Sequence, residues 1–102
     1  MTETKTVKTK EVIIEEINSH IDKCDGTYAE WYVGITEDLK ERLFNGHKVK
    51  DAYIYREAED SKTAREIEKY FIEVIGTDGG TGGGDEDASF VYAYLKQSHT
   101  EP

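Results

Sequence analysis

The alternation of apolar and polar positions along the chain predicts six elements of secondary structure. Apolar residues four positions apart, which mark one buried face of a helix, predict helices over 9–23, 36–46 and 60–76. Strict alternation, which marks a strand with one buried face, predicts strands over 28–35, 52–57 and 90–95. Thr36 is the predicted N-cap of the middle helix. The segment 76–87, which begins with the glycine at the end of the last predicted helix, holds six of the nine glycines, which favours a loop.

This order of elements predicts one small α+β domain, with a three-stranded antiparallel sheet flanked by helices in the order α-β-α-β-α-β. The strand at 28–35 needs a neighbour, and the segment at 90–95 has the right alternation, so we expect these two strands to pair. The domain is predicted to span residues 9–96. Residues 1–8 and 97–102 are polar and are predicted as flexible ends.

Six of the seven tyrosines fall on the predicted strands, all on the face opposite the aliphatic residues. Tyrosine is common on half-buried strands, so strand propensity and a covering helix explain any one of them. Three strands that carry tyrosine on the same face also suit a functional surface. The sequence leaves both interpretations open.

The length of 102 residues predicts a single domain with one modest core. Cys24 is the only cysteine, which excludes an intramolecular disulfide and a cysteine-based zinc cluster and favours a reducing compartment. No apolar run approaches membrane-spanning length, and the first ten residues lack the apolar stretch of a secretory signal. We therefore expect a cytoplasmic protein with no membrane partner.

The formal net charge of −9 bears directly on possible partners. Neutralisation of phosphates drives most nucleic-acid affinity, so an acidic chain is a poor prospect for a free-standing DNA enzyme. The charge favours a protein partner or a metal-dependent site.

Two charged residues lie at the borders of buried helix stripes and are the best candidates for chemistry. Glu68 flanks the stripe of the third predicted helix, where a carboxylate is partly desolvated and needs a partner or a metal. A surface position, or an ion pair with Arg42 or Arg65, explains Glu68 equally well. Arg42 borders the stripe of the middle helix, and its guanidinium fork suits either phosphate oxygens or a carboxylate.

Other familiar motifs are missing. The Gly-rich segment lacks the Lys-Ser/Thr pair of a P-loop and follows a helix rather than a strand, so a flexible connector explains it better than a phosphate cradle. The three histidines, His20, His47 and His99, do not have zinc-ligand spacing.

One segment resembles a known family. Tyr32-Val33-Gly34-Ile35-Thr36 is similar to the second half of the signature of GIY-YIG nucleases, and Arg42 follows Gly34 by eight residues, as the family's arginine does. His47 stands where many members of the family carry a histidine.

A second block resembles the same family. Ala64 precedes Glu68 by four residues, and the apolar pair Phe71-Ile72 follows, as around the metal-binding glutamate of the family's second helix. The resemblance covers roughly residues 28–75.

The resemblance implies a GIY-YIG-like fold and a metal-dependent endonuclease that hydrolyses DNA phosphodiester bonds. Tyr32 would act as general base or orient the attacking water, Arg42 would hold the scissile phosphate, and Glu68 would bind one Mg²⁺ or Mn²⁺. Gly34, His47 and Lys40 are the implied substrate contacts.

Tyr28 and Tyr92 are further catalytic candidates. In the family, a separate strand carries the first signature tyrosine, but Tyr28 precedes Tyr32 by only four residues on one predicted strand. We expect the strand at 90–95 to take the missing place, with Tyr92 or Tyr94 as the substitute.

The main alternative is a catalytically silent GIY-YIG-like module that binds a protein, such as a phage or mobile-element inhibitor of a host nucleic-acid enzyme. The acidic charge, the small size and the absence of the family's asparagine after the second helix favour it. A plain structural or dimerisation domain is a third possibility, since fold alone does not decide function.

If the chain binds DNA, we expect weak and steeply salt-dependent binding at a small basic rim beside the site. The acidic residues Asp85, Glu86 and Asp87 group away from it, in the Gly-rich loop. The residues of the expected rim are Lys40, Arg42, Lys48, Lys50, Lys62 and Arg65.

Overall fold

A computed structural model describes residues 7–24, 27–79 and 88–101 of the protein. The turn predicted at Asp25-Gly26 and the acidic group Asp85–Asp87 lie outside these ranges. The strands are β1 (Val7–Lys8), β2 (Trp31–Thr36), β3 (Tyr53–Ala58), β4 (Asp78–Gly79) and β5 (Phe90–Leu95). The helices are α1 (Lys10–Lys23), a π-helix (Lys40–Gly46) and α2 (Ser61–Tyr70), which continues as a π-helical turn (Phe71–Ile75).

The expected α+β class is confirmed, and the five strands form one mixed sheet in the order β1-β3-β5-β2-β4. The central strand, β5, pairs antiparallel with β2 and with β3, so the expected pairing of 90–95 with the first long strand is observed. The prediction of a three-stranded antiparallel sheet is wrong at both edges, where β1 and β4 add in parallel. Within the described ranges each edge strand has two residues, and two residues are too few for an alternation to signal a strand.

The main core lies between one face of the sheet and the two α-helices. Helix α1 buries Ile13, Ile17 and Ile21, and α2 buries Ala64 and Ile67 against it. The long strands contribute their alternate residues, namely Trp31, Val33, Ile35, Ile54, Val91 and Ala93. The helical spacing of four and the strand spacing of two therefore converge on one aliphatic layer. No helix in the described ranges is long and apolar enough to span a bilayer.

Local residues set the ends of the α-helices. The hydroxyl of Thr9 accepts from the N–H of Val12 at 3.4 Å, and the carboxylate of Asp60 accepts from the N–H of Thr63 at 2.8 Å. Gly76 ends the helical stretch after α2 with a φ of 102°, a left-handed conformation that glycine adopts without strain.

The opposite face of the sheet carries tyrosines and lies partly under the π-helix. Tyr92 and Tyr94 are fully buried there, against Leu43 and Val49. A covering helix, one of the two interpretations left open, thus accounts for the burial of these two rings. Tyr55, farther along the same face, is 47% exposed.

The π-helix begins later than predicted. Thr36 is the last residue of β2, four positions before the helix, and its hydroxyl accepts from the N–H of Asp38 at 3.0 Å rather than from a helical N–H. Asp38 caps the helix instead, its Oδ1 accepting from the N–H of Glu41 at 3.1 Å. The N–H of His47 donates to the carbonyl of Arg42, five residues earlier, at 2.8 Å. Such π-type turns are rare and occur often at functional sites.

The first long strand is shorter than predicted, because residues 28–30 form a 3₁₀ turn. The hydroxyl of Tyr28 lies 2.8 Å from both Asn18 Oδ1 and Asp22 Oδ1 on α1. Tyr28 also packs against the aliphatic core. Its role is to connect α1 to the start of β2, and the prediction that it shares the face of Tyr32 is wrong.

Residues at both ends of the predicted domain are ordered by contacts with it. Val7–Lys8 pairs with β3 as an edge strand. The Thr100 hydroxyl accepts from the N–H of Gln97 and donates to its carbonyl, both at 2.9 Å. The N–H of Glu101 donates to the carbonyl of His47 at 2.7 Å. The folded unit therefore extends beyond residues 9–96.

Gly34 provides a test of how the tyrosine face is packed. It lies opposite Tyr92 in the β2–β5 pair, and a Cβ at this position would overlap the Tyr92 ring and hydroxyl. We expect Gly34→Ala to lower the free energy of unfolding by about 1–3 kcal/mol, the usual cost of overpacking. The matched control is Gly46→Ala, whose Cβ would meet nothing closer than 3.5 Å. Urea denaturation of both variants measures the difference, and equal stabilities would contradict the packing described.

Candidate active site

Four aromatic residues form a connected group on the tyrosine face, called here the aromatic cluster: Tyr32, His47, Tyr92 and Tyr94. The ring of Tyr32 stacks on that of Tyr94, its partner across the sheet, with centroids 5.3 Å apart. The centroid of the His47 ring lies 4.9 Å from that of Tyr32. Tyr32 is partly exposed, whereas the other three are buried. Tyr32 is therefore the member of the cluster that solvent can reach.

His47 uses both ring nitrogens inside the protein. Its Nδ1 lies 2.8 Å from the carbonyl oxygen of Glu101, and its Nε2 lies 2.7 Å from the hydroxyl of Tyr92. The side chain is buried, and burial lowers its pKa, although the hydrogen bond to Glu101 opposes this shift. No ring nitrogen is left to donate to a phosphate. The resemblance implies that His47 contacts substrate. In this arrangement its ring nitrogens instead bind the neighbouring groups of the protein.

Arg42 lies on the π-helix and is partly buried. Its positive charge lowers the pKa values of Tyr32 and Tyr92, against the burial that raises them, and it lowers that of His47 in the same direction as burial does. The π-helix that carries Arg42 packs on the tyrosine face through Leu43. A fixed cation at the accessible phenol is what the recognition of an anionic substrate requires.

Glu68 lies on α2 and is only 5% exposed. Burial raises its pKa to about 7, and the positive charge of Arg65 offsets only part of this increase. No hydrogen bond to its carboxylate forms within the described ranges. The surface position considered from sequence is therefore wrong, and the carboxylate is held in a place that disfavours its charge.

The charge of Glu68 reaches the tyrosine face even though α2 packs on the aliphatic side. Burial raises the pKa of Tyr32, and the carboxylates of Glu68 and Asp78 raise it further. The pKa of Tyr92 is raised chiefly by burial, with a smaller contribution from Glu68. Arg42 and Glu68 thus act with opposite sign on the same two phenols.

The predicted site residues are therefore partly brought together. Arg42 and Glu68 both influence the pKa values of Tyr32 and Tyr92, but Glu68 lies on α2, which packs on the opposite face of the sheet, and Tyr28 lies on the α1 side. Tyr92 is 1% exposed, so it can act on a substrate only through its neighbours. Gly34 makes room for the Tyr92 ring, as described above, which gives it a packing role. Lys40 is exposed on the π-helix.

Sequence reasoning missed two participants. Asp78 pairs with Tyr32 across the β2–β4 edge and is held by an ion pair with Lys96 at 3.0 Å. It lies in a segment that composition predicts as a loop. The other is the carbonyl of Glu101, a backbone group whose contact with His47 no residue pattern could reveal. Tyr94 was predicted only as an alternative to Tyr92 for the place of the family's first signature tyrosine.

The expected basic rim is close to neutral. Lys40, Lys48 and Lys50 are exposed beside the π-helix, but residues 36–51 contain four acidic side chains as well as four basic ones. Lys48 has a φ of 61°, an unusual left-handed conformation for a lysine. On a chain of net charge −9, a neutral region is still the more favourable one for an approaching phosphate.

The residues of the site fit a magnesium or manganese ion in one specific way. No group of three or more His, Cys, Asp or Glu side chains that could hold a metal occurs among the described residues. Mg²⁺ is commonly bound by one or two carboxylates together with substrate phosphates and water. Glu68 would supply one such carboxylate, since it is buried and has no hydrogen-bond partner in the described ranges.

Comparison with protein-family models, curated proteins and solved structures found no match to this chain. The likeness to GIY-YIG nucleases therefore depends on the motif residues themselves.

Glu68 makes a prediction about stability that needs no substrate. Its pKa is raised from 4.5 to about 7, so between these values the folded chain holds a proton that the unfolded chain has released. Stability therefore falls as pH rises through this window and stays lower above it. Glu68→Gln removes the penalty. We expect it to raise the free energy of unfolding at pH 8 by on the order of 2–3 kcal/mol.

Chemical denaturation at pH 8 and pH 4.5, in a chelator, measures this effect. At pH 4.5 the difference from the wild type should largely disappear. The control is Glu73→Gln, which changes an exposed carboxylate next to the same helix and should have little effect at either pH. A Glu68→Gln variant less stable than the wild type at pH 8 would show instead that the charged carboxylate is stabilised by partners.

Proposed function

We propose that the protein is a metal-dependent endonuclease of the GIY-YIG type that hydrolyses DNA phosphodiester bonds. The observation that carries this proposal is the environment of Tyr32. Its phenol is partly exposed, and a buried carboxylate from α2 and a guanidinium from the π-helix act on it with opposite sign. A metal ligand, a phosphate-binding group and a group that contacts water are the parts that phosphodiester hydrolysis needs together.

Arg42 would bind the scissile phosphate. A guanidinium stays charged at any working pH and donates through a planar fork that matches phosphate oxygens. Because Arg42 is partly buried, water screens its charge less than it would at an exposed position.

Tyr32 would position the attacking water. Its pKa is raised above the ordinary tyrosine value, so the phenol keeps its proton at neutral pH. A neutral hydroxyl both donates and accepts hydrogen bonds, which suits it to hold a water molecule in line with the phosphate. The resemblance implied two roles for Tyr32, general base or orientation of the attacking water. The protonated phenol favours the second.

Glu68 would hold the metal. A buried carboxylate without a hydrogen-bond partner in the described ranges gains strongly from a divalent cation, because the cation removes the cost of its charge. The bound ion would supply charge neutralisation at the leaving oxygen.

The second candidate is a catalytically silent module that binds a protein. The observation in its favour is a set of exposed aromatic side chains on an acidic chain. Phe44 is 39% exposed and lies edge-on to Tyr53, with centroids 5.5 Å apart, and Tyr55 is 47% exposed on the same strand as Tyr53. Aromatic residues of this kind often anchor protein interfaces. This reading predicts that Glu68 is dispensable and that Phe44 is not.

A plasmid-nicking assay with Mg²⁺ or Mn²⁺ separates the two functions. We expect nicking by the wild type, loss of nicking in EDTA, and a decrease of about 100-fold or more in Glu68→Gln and in Arg42→Ala. Glu73→Gln, which alters an exposed carboxylate, is the matched control and should retain activity. Nicking that survives both EDTA and Glu68→Gln comes from another enzyme or mechanism. An absence of nicking at every metal concentration rules the proposal out.

Tyr28 and Tyr32, which the sequence predicts on one strand, give a second test. Tyr32→Phe removes the accessible hydroxyl and should lower kcat by about 100-fold, the effect expected when the group that positions the attacking water is lost. Tyr28→Phe removes a hydroxyl that contacts only α1, so it should cost about 1 kcal/mol of stability and leave kcat unchanged. Equal losses of activity in the two variants would contradict these assignments. Nicking rates and melting curves of both variants provide the comparison.

A further inference from the structure

A short segment outside the predicted domain contacts the aromatic cluster. Residues 97–101, called here the strap, follow β5 and turn back on themselves. Thr100 fixes the turn: its N–H donates to the Gln97 carbonyl at 3.1 Å, in addition to the two hydroxyl bonds described above. Thr100 is buried, so the turn is held against the body of the protein.

One residue of the strap, Glu101, makes two contacts with His47. The N–H of Glu101 donates to the backbone carbonyl of His47 at 2.7 Å, and the carbonyl of Glu101 lies 2.8 Å from His47 Nδ1. Both contacts use backbone atoms of Glu101. The side chain of Glu101 is not needed for either of them.

These contacts determine where the imidazole proton resides. A carbonyl oxygen only accepts, so Nδ1 must carry the hydrogen and donate it to Glu101. In a neutral ring, Nε2 is then the acceptor, and the Tyr92 hydroxyl, 2.7 Å away, must donate to it. The hydroxyl of Tyr94, 3.2 Å from Nδ1, accepts a share of the same N–H. The direction of every hydrogen bond in the buried group thus follows from the Glu101 carbonyl.

We propose that the strap is a positioning element of the site: the Glu101 backbone holds His47 as the Nδ1–H tautomer and thereby fixes Tyr92 and the accessible Tyr32. The ring of His47 lies between the two tyrosines, with centroids 4.9 Å from Tyr32 and 5.5 Å from Tyr92. Without the strap, Nδ1 has no carbonyl acceptor, and the ring is free to place its proton on Nε2. The Tyr92 hydroxyl would then lose its acceptor, and the packing against Tyr32 would loosen. The consequence for catalysis rests on the function proposed above, whereas the tautomer does not.

The test is nitrogen NMR of the His47 imidazole in ¹⁵N-labelled full-length protein. The wild type should show a protonated Nδ1 and an unprotonated Nε2. Glu101→Pro removes the N–H that donates to His47, and should give a mixture of tautomers. Its His47 pKa should also rise part of the way toward the ordinary value of 6.5, because water relieves the burial that lowers it, whereas loss of the Glu101 hydrogen bond acts in the opposite direction. The groups that face this ring are Arg42, Tyr32, Tyr92 and Tyr94, and the variant leaves all four in place.

The matched control is Glu101→Ala, which removes the carboxylate but keeps both backbone contacts and should reproduce the wild-type spectrum. Thr100→Val releases the turn without altering Glu101, and it provides a second route to the detached strap if Glu101→Pro does not fold. A wild-type His47 with its proton on Nε2 would overturn the proposal. So would an unchanged tautomer and pKa in folded Glu101→Pro and Thr100→Val variants.

Activity adds a readout that separates this inference from the proposed function. With nicking present in the wild type, detachment of the strap should lower kcat by about 10–100-fold, as expected for a misplaced active-site group, with KM little changed. With no nicking in the wild type, the proposed endonuclease fails, and the NMR result still decides whether the strap sets the tautomer.

Discussion

The contact between Gly34 and Tyr92 is the constraint on which the rest of the site depends. The two residues face each other in the β2–β5 pair, and only the absence of a side chain at Gly34 lets the Tyr92 phenol lie across β2. From there its hydroxyl reaches His47, which in turn packs on Tyr32. A glycine that a sequence motif marks as part of a signature therefore has a direct packing reason in this chain.

His47 and Glu68, the two buried polar side chains of the site, differ in their hydrogen bonding. His47 has a partner at each ring nitrogen, as buried polar groups usually do. Glu68 is similarly buried, but it has no hydrogen bond within the described ranges, and its pKa rises to about 7. A chain selected for stability alone would replace such a carboxylate with an apolar residue or a partnered one. Its influence on the pKa of Tyr32 is what favours a functional residue over a structural one.

The site is assembled from elements on both sides of the sheet. Arg42 comes from the π-helix over the tyrosine face, whereas Glu68 comes from α2, which packs on the aliphatic face. Asp78 of the short edge strand β4 pairs directly with Tyr32 and adds a further negative charge. A substrate bound to Tyr32 would meet charges that the core helix and the covering helix supply independently.

The sequence by itself determined the elements whose side chains repeat. The isoleucines of α1 at spacing four and the alternation of 90–95 predict a helix and a strand that the structure reproduces almost to the residue, because burial of one face imposes those periods. Tyr32, Arg42 and Glu68 could be named as candidates from motif spacing and from their places beside buried stripes.

Only the tertiary structure decided which of the candidates meet. Tyr28 lies on the α1 side because residues 28–30 form a 3₁₀ turn, and its hydroxyl hydrogen-bonds α1. The described parts of β1 and β4 are too short to show a period. The contact of the Glu101 carbonyl with His47 joins residues 54 positions apart in the chain. Local patterns report which face of an element is buried, whereas long-range backbone contacts leave no trace in the identity of the residues that make them.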